Sequence, residues 1–247
     1  MIKRIAPEAD VIDITHGIGP HQVLQGALML ADTLPYFPVG IHVAVVDPGV
    51  GTDRKALALR GGDGRVYVGP DNGLLLVAAE KLDGIAQAVE LAEPELRLEP
   101  VSATFHGRDI FSPAAAHLAN GLEPRELGPE VPVEELVRLD IPRPEVGQTR
   151  LRATVLYVDR FGNVQLGARR EDLERAGIVP GTRVEVEAGL DAFFAVAART
   201  FADVRPGDVV LYEDAYGNIA IALNGGSAAK VFGARPGREL LIRRTDA

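Results

Sequence analysis

The stretch HVAVVDPGVGTDRKAL, His42–Leu57, decides how the first half of the chain folds. Val43–Val46 is apolar at consecutive positions. That is the pattern of a strand covered on both faces, as in a sheet with helices on either side. The run ends on Asp47, and Pro48, Gly49 and Gly51 then make a tight connection that lets backbone or a ligand come close. In open α/β sheets ligands bind beyond the carboxyl ends of strands. Asp47 stands at such an end, and Arg54 in the same loop can fold back on it. Read alone, the two are as readily a strand-end ion pair as a site.

Working outward, strand and helix signals alternate up to Leu139. ADVIDIT (9–15) reads as a strand and PHQVLQGALMLADTL (20–34) as a helix. RVYVGPDNGLLLVAAEKL (65–82) reads as strand, turn and helix. In FSPAAAHLANG (111–121), Ser112 is expected to cap a helix, with Pro113 in its first turn and Gly121 past its end. This alternation predicts an α/β fold, an N-terminal α/β domain over residues 1–140 with a mostly parallel central sheet. DIPRPEVGQT holds two prolines and a glycine without helical period, and reads as a linker at about 141–149.

Beyond it the pattern changes to short strand-like runs: TRLRATVLYVD, TRVEVEA, AFFAVAA, DVVLYED, NIAIALN and RELLIRR, with one short helix at REDLERAG. They predict a smaller all-β, barrel-like C-terminal domain over 150–247. Tyr157-Val-Asp-Arg-Phe-Gly-Asn-Val recurs as Tyr212-Glu-Asp-Ala-Tyr-Gly-Asn-Ile, which reads as two hairpins with Gly-Asn turns.

Composition narrows the classes. The 247 residues, 47% of them hydrophobic, suffice for a sizeable core. The formal net charge of −9 argues against nonspecific binding to nucleic acid or anionic membranes. Cysteine is absent, which excludes disulfides, thiol nucleophiles and thiolate metal sites. No apolar run reaches the roughly 18–20 residues of a spanning helix, and the first residues lack a signal-peptide core. The expectation is a soluble, cytoplasmic protein that binds neither nucleic acid nor membrane. Walker loops, G-x-G-x-x-G and G-x-S-x-G are absent. Asp13, His16 and His21 do not match a helical zinc motif, so no metal is expected. A second polar cluster, His106-Gly-Arg108-Asp109, precedes the helix at 112, and His106 is of the type that titrates near neutrality.

DITHGIGPHQVLQGALML, YFPVGIHVAVVDPGVGTDR, VGPDNGLL, TFHGRDIFSPAAAHLANG and DRFGNV occur in this order. Together they resemble the S-adenosylmethionine (SAM) hydrolase (adenosine-forming) family, the SAM hydroxide adenosyltransferases, relatives of the fluorinating and chlorinating enzymes. The resemblance spans essentially the whole chain. It implies hydrolysis of SAM, as substrate and without a cofactor, to adenosine and methionine. It also implies a homotrimer, each active site lying between the N-terminal domain of one subunit and the C-terminal domain of the next. The family's Asp, Arg and His triad falls on Asp47, Arg54 and His106. The resemblance puts Asp159 near the methionine amine, Asn163 near adenine and Phe201 against the adenine face. Asn224 and Gly225 contribute through backbone or amide. Phe201 reads equally as barrel core.

The halogenating relatives carry Tyr-Ser or Tyr-Gly where this chain has His106-Gly107, and an extra loop after the Asp-Arg region that it lacks. Both differences favour water over halide as nucleophile. The family also opens with a strand, a TDFG-type segment supplying a ribose-binding aspartate, and a helix ending in KGVI. This chain begins at MIKRIAPEAD, so the expectation is a truncated or misassigned start with a strand missing and an incomplete ribose site. That keeps one alternative open, a SAM- or adenosine-binding protein without catalysis; the other alternative, halide-dependent adenosyl transfer, is disfavoured by His106 and the missing loop.

Overall fold

A computed structural model describes residues 1–245; the last two positions of the predicted C-terminal domain lie outside the described residues. The chain forms two compact units that divide between Leu139 and Asp140.

The first unit begins with the short helix α1 (Ile2–Ile5), then α2 (Val23–Thr33), β1 (Ile41–Val43), β2 (Ala56–Gly61), β3 (Val66–Pro70), α3 (Leu74–Leu82), β4 (Ile85–Glu90) and α4 (Ser112–Ala119). The sheet order is β1-β3-β2-β4. Alternation along the strands sorts side chains to two covered faces. Leu57, Leu59 and Tyr67 pack with Ala27, Leu30, Leu74 and Ala78 of α2 and α3. Ala56, Ala58 and Val68 pack on the other face with Phe111, Ala114 and Leu118.

Two expectations about the sheet are corrected. The sheet is not mostly parallel: β1 pairs β3 in parallel, but β2 is antiparallel to both β3 and β4. The reason is the Gly62–Arg65 connection between β2 and β3, a tight turn where a parallel pair needs a crossover of a dozen or more residues. Burial on both faces comes from the helices and says nothing of the direction of one strand between them. The second correction is ADVIDIT, which forms no strand; Val11, Ile12 and Ile14 lie exposed without a ladder partner. The strand read at Val43–Val46 as covered on both faces also differs: β1 stops at Val43, and Val43 and Val45 are exposed. Ser112 too departs from its predicted role. A π-helical turn at Gly107–Phe111 precedes α4, so Ser112 has helical backbone angles, and its hydroxyl donates to the Gly107 carbonyl at 2.7 Å instead of capping.

The second unit contains β5 (Glu145–Val146), β6 (Arg150–Val158), β7 (Val164–Arg169), α5 (Arg170–Arg175), β8 (Arg183–Ala188), β9 (Asp191–Ala197), β10 (Val209–Glu213), β11 (Asn218–Leu223), α6 (Ala228–Phe232) and β12 (Glu239–Arg244). The order β12-β8-β9-β10-β11-β7-β6 closes through a β12–β6 pairing into a seven-stranded barrel, with β5 alongside β6. Val155, Val164, Leu166, Val186, Leu211, Ile221 and Ile242 fill its interior. Closure leaves no edge among the seven strands for another chain to extend.

Gly51 sets the path of the Asp47–Arg54 loop. Its φ is +80°, and a Cβ there would sit 2.5 Å from the Ala103 carbonyl oxygen. Only glycine lets this loop lie against the segment that leads to His106. Gly51→Ala is therefore expected to destabilise the first unit more than Gly84→Ala. Gly84 has a φ of +72° but opens on empty space. Left-handed strain alone costs about 1–2 kcal/mol at each site, and Gly51 adds the clash. Urea unfolding midpoints of the two variants check this; equal midpoints would contradict it.

Candidate active site

In the first unit the loop after β1 and the loop before α4 bring Asp47, Arg54 and His106 together. Asn72, in the turn after β3, donates its amide to the Val46 carbonyl at 2.8 Å and so pins the chain immediately before Asp47. The Arg54 Nε–H is shared between the two Asp47 carboxylate oxygens at 3.0 and 3.1 Å. Nη2 donates to the Asp47 Oδ2 and lies 3.0 Å from His106 Nδ1, and Nη1 donates to the Lys55 carbonyl at 3.2 Å. The guanidinium also lies over the Phe111 ring, 5.2 Å from its centroid. The Arg54 and Asp47 side chains are only 11% and 5% exposed, so the pair is desolvated and strongly coupled.

These contacts determine the state of His106. A guanidinium has donors only and keeps its proton at any pH proteins meet. Nδ1 of His106 must then accept, and in the neutral ring Nε2 carries the proton. Burial and the Arg54 charge hold the imidazole below the ordinary histidine value, against the opposing pull of Asp47 and Asp109. Of the five guanidinium N–H groups, the bonds to Asp47, His106 and the Lys55 carbonyl engage Nε, both hydrogens of Nη2 and one of Nη1. One Nη1–H and the His106 Nε2–H remain as donors. Asp47 balances Arg54, so the trio with neutral histidine carries no net charge.

Arg108 and Asp109, beside His106, are structural. Asp109 is fully buried and accepts from the Ser102 backbone N–H at 2.8 Å and from Arg108 at 2.5 and 3.0 Å. The Arg108 hydrogen bonds hold its carboxyl below the usual carboxylate range. His16 and Asp13 lie 3.2 Å apart at the surface, and no group of three or more candidate metal ligands occurs among the described residues.

In the second unit Asp159, Asn163, Phe201, Asn224 and Gly225 lie on turns of the barrel. Asp159 Oδ1 accepts from the backbone N–H groups of Phe161 and Asn163 at 2.8 and 2.9 Å, and Oδ2 accepts from the Asn163 amide at 2.8 Å. Asp159 and Asn163 therefore form one hydrogen-bonded loop. Asp214 does the same with Tyr216 and Asn218, at 2.8 and 2.9 Å to the backbone. The sequence repeat is thus a repeat of structure. Gly162 packs against the start of α6, where a Cβ would fall 2.1 Å from Ser227 Oγ. The Asn224 amide donates to the Phe201 and Val204 carbonyls at 3.1 and 3.2 Å. Its N–H groups are spent on holding the Phe201 turn, which leaves its carbonyl oxygen and the neighbouring backbone for any ligand. Phe201 is 37% exposed, so it is not plain core. Its ring lies 5.1 Å from that of Tyr212.

Sequence reasoning missed the Lys55 carbonyl, the Phe111 ring and Tyr212. A backbone acceptor leaves no trace in sequence. Phe111 stood inside the TFHGRDIF block and Tyr212 inside the repeat, but nothing in either marks an aromatic as a neighbour of a charged group.

Residues 1–128 match the SAM hydroxide adenosyltransferase N-terminal domain and residues 153–241 the corresponding C-terminal domain. A Salinispora tropica protein named (R)-S-adenosyl-L-methionine hydrolase is 48% identical, over 98% of this chain and 89% of the relative. A Thermus thermophilus protein of the same name is 42% identical, over 94% and 87%. A Nocardia brasiliensis fluorinase is 29% identical over 98% of this chain and 90% of its own. A solved structure of a conserved Thermotoga maritima protein superposes with a TM-score of 0.88 at 36% identity, covering 98% of this chain and 92% of the other. The buried Asp-Arg-His cluster, the barrel with its aspartate-anchored turn and matches over most of both units place this chain in the SAM hydroxide adenosyltransferase family.

Proposed function

We propose that this chain hydrolyses SAM to adenosine and L-methionine, with Asp47, Arg54 and His106 holding the attacking water. The observation that carries this reading is the partly buried, charge-balanced trio with two donors left over, one on Arg54 Nη1 and one on His106 Nε2. Water attacks the ribose C5′ in line with the sulfonium. The C5′–O bond forms, the C5′–S bond breaks, its electron pair stays on sulfur as the neutral thioether, and the water proton passes to solvent. Two fixed donors stabilise the oxygen as hydroxide character develops, and they orient it for attack. A trio without net charge does not repel a sulfonium as an unpaired arginine would. His106 acts as a donor because its acceptor nitrogen faces Arg54. The reaction needs no cofactor, since the substrate carries its own leaving group.

Asp159 would take the methionine ammonium, Asn163 and Phe201 the adenine, and Asn224 and Gly225 would contribute through their remaining backbone and carbonyl groups. The relatives' name places R on the sulfonium, because L already describes the α-carbon, and we extend that configuration to the substrate here. Two features favour water over halide. The fluorinase alignment runs to 270 positions, more than this chain possesses, so the fluorinase carries insertions that this chain lacks. The family resemblance also sets His106 where the halogenating relatives carry tyrosine. Incubation with each SAM epimer should release adenosine from the R form. A 5′-halo-adenosine on adding fluoride or chloride would instead favour adenosyl transfer to halide, and binding without turnover would favour a binding protein.

Arg54→Ala and His106→Ala are each expected to lower turnover by about a hundredfold or more, the usual size for losing an electrostatic or acid-base group. Adenosine release measured by chromatography checks this; near-normal rates in both would remove the trio from catalysis. The pH profile follows from His106. Its lowered value keeps the ring neutral to below pH 6.5. As pH falls further, Nδ1 takes a proton, two donors face each other and the contact with Arg54 is lost. The acid limb of kcat/KM should therefore lie below pH 6.5 and vanish in His106→Asn; a limb above 6.5 would contradict the assignment.

We further propose a homotrimer. The exposed Val11, Ile12, Val43, Val45 and Phe105 of the first unit support it, as apolar groups that a subunit interface would cover. Light scattering should return three times the chain mass; a monomer at assay concentration would refute it.

A further inference from the structure

We infer that Tyr212 is a specificity residue for the amino-acid end of the substrate, its hydroxyl touching the bound molecule beside Asp159 while its ring backs Phe201. This rests on the hydrolase reading above. Strand alternation fixes the direction of the side chain: Leu211 points into the barrel core, so Tyr212 points out of it. There the Tyr212 ring meets the Phe201 ring at 5.1 Å, tilted by 57°. Asn224 holds the backbone of that same Phe201. Tyr212 pairs with Ala220, Ala220 with Gln165 and Gln165 with Tyr157, two residues before Asp159, so this row of the barrel runs from the aromatic platform toward the aspartate loop.

The hydroxyl makes no hydrogen bond to protein among the described residues. Burial, Asp159 and Asp214 push its pKa up to about 12, so it remains a proton donor throughout the working range. An amino-acid ligand is a zwitterion. Its ammonium suits the negative field of Asp159 and Asp214, and its carboxylate then needs a donor close by. Of the arginines in this region, Arg160 lies over the Phe161 ring, 4.8 Å from its centroid, and Arg170 is paired with Glu213. The phenol of Tyr212 is a neutral donor in the right place, and it meets the carboxylate without competing for the aspartates.

The test compares two ligands that differ by the amino-acid arm. Tyr212→Phe should raise the KM for SAM about threefold to tenfold, the loss of one hydrogen bond. It should keep kcat within a factor of about two and leave adenosine affinity unchanged by calorimetry. Tyr212→Leu, which also removes the ring behind Phe201, should weaken adenosine as well. Equal weakening of SAM and adenosine in Tyr212→Phe would make the residue a prop only, and no change in either would remove it from the site; both outcomes overturn the inference while leaving the hydrolase reading intact. A wild-type chain that neither binds nor hydrolyses SAM overturns both.

Discussion

The site depends on how one guanidinium spends its hydrogens. Arg54 is largely excluded from water, and a desolvated cation is tolerable only when a counter-charge and hydrogen-bond acceptors surround it. Asp47 supplies the charge, the Lys55 carbonyl and His106 supply further acceptors, and Phe111 supplies a π face. This need draws two loops together, one at a strand end and one before a helix. Gly51 makes the approach sterically possible, and Asn72 pins the chain immediately before Asp47. Removing Asp47 would leave a buried cation without its partner, so its role is as much electrostatic as geometric.

The same donor count assigns chemistry. A histidine beside an arginine cannot offer both nitrogens as bases, because the arginine has only hydrogens to give. His106 is thereby held as an Nε2–H tautomer, a group that stabilises an oxygen by donation. In the proposed reaction the neutrality of the trio matters as much as its donors, because the substrate is itself a cation. Attack on a sulfonium disperses charge, and a dry neutral pocket opposes such a reaction less than bulk water does.

The barrel solves a different problem with one local device used twice. In each Asp-x-aromatic-Gly-Asn turn the aspartate accepts from the backbone two and four residues on, and the asparagine amide closes the ring on the other oxygen. Asp159 is thus pre-oriented before any ligand arrives, which lowers the ordering cost of binding. The two carboxylates together bias their surroundings toward cations, and Tyr212 lies within the field of both.

Much of this was legible in the chain. Helices α2, α3 and α4, the strands of the barrel and the repeated turns follow from periodicity, glycine placement and short-range hydrogen bonding, all of them local. The order of the motif blocks identified the family because each block is long. What local reading could not supply was strand direction. β2 runs against its neighbours because a tight turn feeds it into β3, yet its burial looks like that of a parallel strand. Nor could it show that ADVIDIT, apolar as it is, finds no ladder partner. By itself the sequence determined that Asp47, Arg54 and His106 were candidates, since the motif blocks that resemble the family are written in it. Only the tertiary structure decided that Arg54 donates to His106, that Asn224 is spent on the Phe201 turn and that the Tyr212 ring meets the ring of Phe201. Those are contacts between side chains and distant backbone, set by packing rather than by neighbours along the chain.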